Sequence, residues 1–150
     1  MNKFLWLGLV ACVAMSQAIA GEVKVSGAWA RATAPGQDAG MVGVKVTSAK
    51  AGRIVTLTST ASNTTELHSM VHENGVMKMR RLDFIELNAN QELVLGAGGN
   101  HLMLIGLKKP LKEGETVALT MTVQFADKSK EQVDIKAEVK SMTEMHHMHH

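Results

Sequence analysis

Cysteine is close to absent from this sequence: 150 residues contain one, Cys12, and it lies in the apolar run from Phe4 to Met15. That run follows Asn2-Lys3 and precedes Ser16-Gln17-Ala18-Ile19-Ala20. This is the order of a secretory signal, with a positive start, a short apolar stretch and an A-x-A cleavage site. Long apolar segments are missing too. A transmembrane helix needs roughly 20 apolar residues, more than this run offers. The expectation is cleavage after Ala20, release into the periplasm and no stable membrane insertion afterwards. A competing reading takes Leu9-Val10-Ala11-Cys12 as a lipobox that would anchor the chain through Cys12; the position of Cys12 inside the apolar run counts against it. Once residues 1–20 are gone, neither a disulfide nor a thiolate is available. Any metal the mature chain binds must be held by His, Met, carboxylate or backbone.

An excess of charge of one sign is lacking as well. The formal net charge is +2, and Lys3 is the only charge lost with the signal, leaving 15 basic against 14 acidic side chains. That balance gives no electrostatic footprint for nucleic acid. Asp83, Glu86 and Asp127 show no spacing of an acid/base pair and no activated nucleophile stands out, so no enzyme is expected. The length suits a single domain with a real core. With no internal repeat and no linker, residues 21–140 read as one domain, expected to be monomeric, and residues 141–150 as a flexible tail.

What is present is β-pattern. Apolar and β-branched residues alternate over Glu22–Trp29, Met41–Thr47, Arg53–Ser59, Glu115–Phe125 and Glu131–Val139, and less regularly over Thr65–His72, Val76–Leu82, Glu92–Leu95 and His101–Leu107. Pro35-Gly36, Asn74-Gly75, Gly98-Gly99 and Glu113-Gly114 supply turns. Many short strands at this spacing predict an all-β antiparallel sandwich or barrel.

Methionine and histidine are also present, and unevenly placed. Of the nine Met and seven His after Ala20, almost all fall between residues 68 and 103 or in the tail. Asn74-Gly75 suits a two-residue type I′ hairpin, because both residues tolerate positive φ. Counting outward from it sets His72 opposite Met77, Met70 opposite Met79, and His68 diagonal to Met79. Strand alternation then puts His68, Met70, His72, Met77 and Met79 on one face, with Ser69, Lys78 and Arg80 on the other. His101 and Met103 share a face by the same parity. A methionine on a strand ordinarily fills core, as is expected of Met41 and Met121, and a lone His such as His72 is ordinarily a surface residue. The combination of both types at matching parity on two segments points further. Thioether and imidazole without thiolate suit Cu(I) better than Zn, Mg or Ca, and hard cations would want carboxylates that the pattern does not place there.

These residues resemble the PCuAC family of periplasmic copper chaperones, whose motif runs His, ten residues, Met, twenty-one residues, His, one residue, Met. His68, Met79, His101 and Met103 match it without a gap. The flanks agree: Ala28-Trp29-Ala30-Arg31-Ala32, Glu66-Leu67-His68, Gly75-Val76-Met77-Lys78-Met79, His101 through Leu107, and Pro110-Leu111. One departure is Gly96-Ala97-Gly98-Gly99-Asn100, where members often carry a proline. The resemblance implies a cupredoxin-like Greek-key β-sandwich or barrel with Cu(I) held near the surface by His68, Met79, His101 and Met103. It also implies delivery of copper toward cytochrome c oxidase assembly, to a copper-accepting protein such as an oxidase subunit or another copper chaperone. Met70 and Met77 lie outside the motif, as apolar wall or transient donors.

The tail places Met142, Met145, His146, His147, Met148, His149 and His150 within nine residues. Purification tags are usually uninterrupted histidines, whereas these alternate with Met, so a native metal-binding tail is expected, with imidazoles that suit Cu(II) as well as Cu(I). Two further readings use the same residues: a copper-sequestering resistance or storage protein, and a purely structural sandwich whose Met-rich face is core. A blue-copper electron carrier needs a Cys ligand, which the mature chain lacks.

Overall fold

The structure, a computed structural model, describes residues 21–96 and 99–141. The expected signal and the tail donors Met142 to His150 lie outside the described residues. Ten strands account for the regular structure: β1 Val23–Arg31, β2 Ala39–Ser48, β3 Gly52–Ser59, β4 Ser62–Glu73, β5 Val76–Leu82, β6 Ile85–Leu87, β7 Leu93–Leu95, β8 His101–Leu107, β9 Thr116–Phe125 and β10 Lys130–Lys140. They pair in the order β5-β4-β8-β2-β1-β10-β9-β3-β6, with β7 added beside β2. The ladders are antiparallel except β1 with β10, which run parallel and set Trp29 beside Glu138 and Arg31 beside Lys140.

Alternation decides what faces inward. On β9, Val117, Leu119, Met121, Val123 and Phe125 are buried while the residues between them are not, and on β2 Val42, Val44 and Val46 repeat the pattern. β3 and β4 stand far apart in the pairing order yet are joined by only Thr60-Ala61, so the sheet must fold over on itself. The Thr65 hydroxyl on β4 donates to the Leu57 carbonyl on β3 and ties the two halves together. Between them lies one hydrophobic core, with Leu67, Leu102 and Leu104 from one half and Ile54, Leu57 and Leu119 from the other. This is the expected all-β, cupredoxin-like architecture.

The sequence reading locates every strand except β6, whose three residues are too few to show a period although Ile85 and Leu87 are buried. One residue changes face. Met121 fills core as expected, at 0% exposure, but Met41 does not. The inward positions of β2 are the even-numbered valines, and Met41 points the other way, directly opposite Met103 on β8.

Candidate metal centre

The outer face of four neighbouring strands, β5, β4, β8 and β2, carries the soft side chains. The β4–β5 hairpin closes at Asn74-Gly75 with φ of 51° and 78°, both left-handed as a type I′ turn requires. Its register is the expected one: Glu73 pairs with Val76, His72 with Met77, Met70 with Met79 and His68 with Arg81. On the other side of β4, His68 pairs with His101 and Glu66 with Met103. Directly opposed residues share a face, so Glu66, His68, Met70 and His72 on β4 line up with Met77 and Met79 on β5, with His101 and Met103 on β8, and with Met41 on β2.

The two histidines meet. Their ring centroids are 5.6 Å apart, edge to face at 67°. Each is fixed through one nitrogen by an oxygen. His68 Nε2 lies 2.6 Å from Glu66 Oε2, and His101 Nδ1 lies 3.1 Å from the Gly99 carbonyl. A carboxylate and a carbonyl only accept, so in the neutral rings these nitrogens carry the proton and donate. That leaves His68 Nδ1 and His101 Nε2 as lone-pair nitrogens, and both are buried without a hydrogen-bond partner. His101 is 2% exposed, unusual for a polar side chain.

The loop that presents Gly99 is held from beneath. Gly96, at φ 104°, donates its N–H to the Asn100 carbonyl at 2.8 Å. A Cβ at Gly96 would lie 2.7 Å from both the Gly43 Cα and the Trp29 ring, and a Cβ at Gly43 would fall 2.4 Å from the same indole. The Trp29 ring therefore lies against two glycines, and Gly96 lies against Gly43 where β7 takes over from β8 beside β2. Gly96, the first residue of the glycine-rich approach, is what lets the chain sit this close to β2.

The motif methionines are less tightly gathered. Met103 is two residues from His101 on the same face of β8 and half-buried. Met79 is on the edge strand, diagonal to His68, and 51% exposed. Two residues at this face escape the sequence reading. Glu66 brings a carboxylate to His68, which corrects the expectation of a site without carboxylates. Met41 adds a third thioether opposite Met103. The even spacing of Val42, Val44 and Val46 was the signal that Met41 faces outward, and the i, i+2 spacing of Glu66 and His68 was the signal for their contact. Among the described residues no group of three or more His, Cys, Asp or Glu is placed to hold a metal. The side chains on this face with donor atoms to add to the two imidazoles include the Glu66 carboxylate and the thioethers of Met41, Met70, Met79 and Met103. A cleft of about 430 Å³ between Arg53, Glu86, Gln124, Phe125 and Lys128 contains none of these residues.

The fold defines the class: it is that of the PCuAC domains. The apo PCuAC domain from PmoF1 superimposes with a TM-score of 0.63 at 20% identity, over 81% of this chain and 95% of that one. The solution structure of CuI-DR1885 from Deinococcus radiodurans superimposes with a TM-score of 0.59 at 27% identity, over 85% and 83%. In sequence, residues 23–139 match the family described as "Putative lipoprotein LpqE-like". The chain belongs to this LpqE-like family. It is also similar to the "Putative lipoprotein Lxx21020" of Leifsonia xyli subsp. xyli (strain CTCB07), 36% identical over 108 residues. That match covers 71% of this chain but 64% of the relative, so the chain spans under two thirds of that protein's length.

Proposed function

We propose that this protein is a copper chaperone that holds Cu(I), as cargo, between His68, Met79, His101 and Met103. The observation that carries the reading is the pair of facing imidazoles, each pinned by oxygen at one nitrogen and left with a buried, unpartnered second nitrogen. A buried polar atom without a partner costs about 1–3 kcal/mol. Two such atoms, on rings whose centroids are 5.6 Å apart, are a cost that a shared cation would remove. Imidazole and thioether without thiolate select Cu(I) by softness, and the similarity to a protein solved as its CuI form supports the choice of metal.

Exposure favours transfer over sequestration. A storage site gains by enclosing its metal, whereas Met79 is half in solvent on an edge strand, where an acceptor protein has access to it. The acceptor is a copper-binding protein on the route to cytochrome c oxidase, an oxidase subunit or a second chaperone; this step rests on the family resemblance. The lipoprotein descriptions of the family and of the Leifsonia relative support an exported protein of the cell envelope, and cleavage after Ala20, as the sequence pattern predicts, would leave it free in the periplasm. The tail from Met142 to His150 serves as a secondary site for Cu(II).

Copper K-edge absorption on the anaerobic complex with one Cu(I) per chain tests the pocket. Mixed nitrogen and sulfur scattering is expected, and a shell of nitrogen and oxygen alone would overturn the assignment.

A further inference from the structure

We infer that the outward face of the β4–β5 hairpin is a second Cu(I) site, built from Met70, His72 and Met77 and sharing Met79 with the pocket. The inference deepens the copper reading given above.

The hairpin is not part of the core. No residue between Leu67 and Ile85 is buried, and β5 ends the sheet, with no neighbour on its far side among the described residues. Its two faces differ sharply in chemistry. One is an ordinary solvated face, where Glu73 takes Lys78 at 3.7 Å and Arg80 at 3.0 Å. The other carries Met70, His72, Met77 and Met79, set as the directly opposed pairs Met70↔Met79 and His72↔Met77, with Arg81 opposite His68 at its far end. Met77 and Met79 are 54% and 51% exposed. Burial stabilises such side chains and much of that gain is forgone here, so packing does not account for Met77 and Met79 on this surface.

Ligand geometry does. Opposed residues on an antiparallel pair have Cβ atoms about 4.5–5.5 Å apart, and diagonal neighbours stand about 7–8 Å apart. Long, unbranched thioether side chains adapt their reach across such gaps. Three sulfurs and one imidazole therefore converge on the surface between β4 and β5 with no backbone movement, a neutral soft donor set of the kind that suits Cu(I). The rows His72–Met77, Met70–Met79 and His68–His101 follow one another along β4 at about 6.7 Å per step. A monovalent ion at the hairpin and one in the pocket thus compete for the same Met79 sulfur, and the ion passes between them by exchange of neutral ligands, with no change in oxidation state.

The test is methyl NMR of the full mature chain labelled at the Met ε-carbon, titrated anaerobically with Cu(I) and assigned by single Met→Leu changes. The first equivalent should move the Met79 and Met103 methyls, and further Cu(I) should move Met70 and Met77 before the tail methyls of Met142, Met145 and Met148 saturate. In the combined variant M70L/H72Q/M77L the Met103 response to the first equivalent should persist while the later step at Met79 is lost. Met70 is half-buried and His72 and Met77 are exposed, so the amide spectrum should report an intact fold. Met70 and Met77 methyls that stay fixed until the tail is saturated would overturn the hairpin site while leaving the pocket. Movement of Met77 without any movement of Met103 would uphold the hairpin site and remove the pocket.

Discussion

Glu66 and His68, two residues apart on one strand, are joined by a 2.6 Å contact between Oε2 and Nε2. The carboxylate holds one nitrogen of the imidazole, and the other, Nδ1, is buried without a hydrogen-bond partner in a ring whose centroid is 5.6 Å from that of His101. Outer carboxylates of this kind orient metal-binding histidines, and losing one typically costs 10–100-fold in affinity. Glu66→Ala should therefore weaken Cu(I) binding by about that factor, read by competition with a chromophoric Cu(I) chelator. Glu66→Gln keeps an oxygen acceptor and should lose less. Equal affinity in all three proteins would remove Glu66 from the site.

His101→Ala should weaken the same binding far more than His72→Ala. His101 is 2% exposed and offers a buried lone pair, whereas His72 sits exposed near the hairpin tip, two strand positions farther from the pocket than Met70. An unchanged affinity in His101→Ala would sink the four-residue assignment.

Gly43→Ala tests the support under the loop. The new methyl would stand 2.4 Å from the Trp29 ring, and overpacking of this kind typically costs about 1–3 kcal/mol. Urea unfolding should show that loss, and Cu(I) affinity should fall with it because the indole also lies against Gly96, which anchors the loop to Gly99. A Gly43→Ala protein as stable as the parent would show that Trp29 has room to move.

Cu(II) should follow the tail. Truncation belongs after Ser141, since Lys140 still pairs with Arg31 and its carbonyl accepts from the Ala32 N–H at 2.9 Å. The truncated chain should lose most Cu(II) and keep its Cu(I) pocket. In the full chain Cu(II) should be released as the pH falls through the range near ~6.5 where unperturbed imidazoles take up protons. Full Cu(II) capacity in the truncated protein would end this division of labour.

The mature N-terminus decides between the two readings of the leader. Intact mass spectrometry of protein from its own envelope should give a chain beginning at Gly21. A lipid-modified Cys12 would replace release with tethering, in keeping with the family's description.

Much of this was legible in advance because β-structure writes its period into the sequence. Asn74-Gly75 fixed the hairpin register, and the register then followed residue by residue to His68 and Arg81. What escaped depends on contacts between strands distant in sequence. That His68 stands opposite His101, and Met41 opposite Met103, follows from the placement of β8 between β4 and β2, which no local pattern encodes. Met41 was misassigned by residue type when its parity against Val42, Val44 and Val46 held the answer. Glu66 was visible only as a flank of the motif, and its role emerged with the side-chain geometry.

The parallel pairing of β1 with β10 sets the root of the tail on the same sheet as the pocket. Lys140 lies beside Arg31, Arg31 is one step past the Ala30↔Val42 pair, and Met41 on β2 faces Met103. Three strand spacings separate Lys140 from Met103, about 14 Å at about 4.8 Å each. The nine residues after Ser141 reach about 30 Å when extended. A metal ion held by that segment is thus tethered within range of the pocket, at an effective concentration in the millimolar range typical of short linkers. Passage between the two would be a first-order event, independent of protein concentration, and a protein molecule would need no second copy of itself to fill its own site.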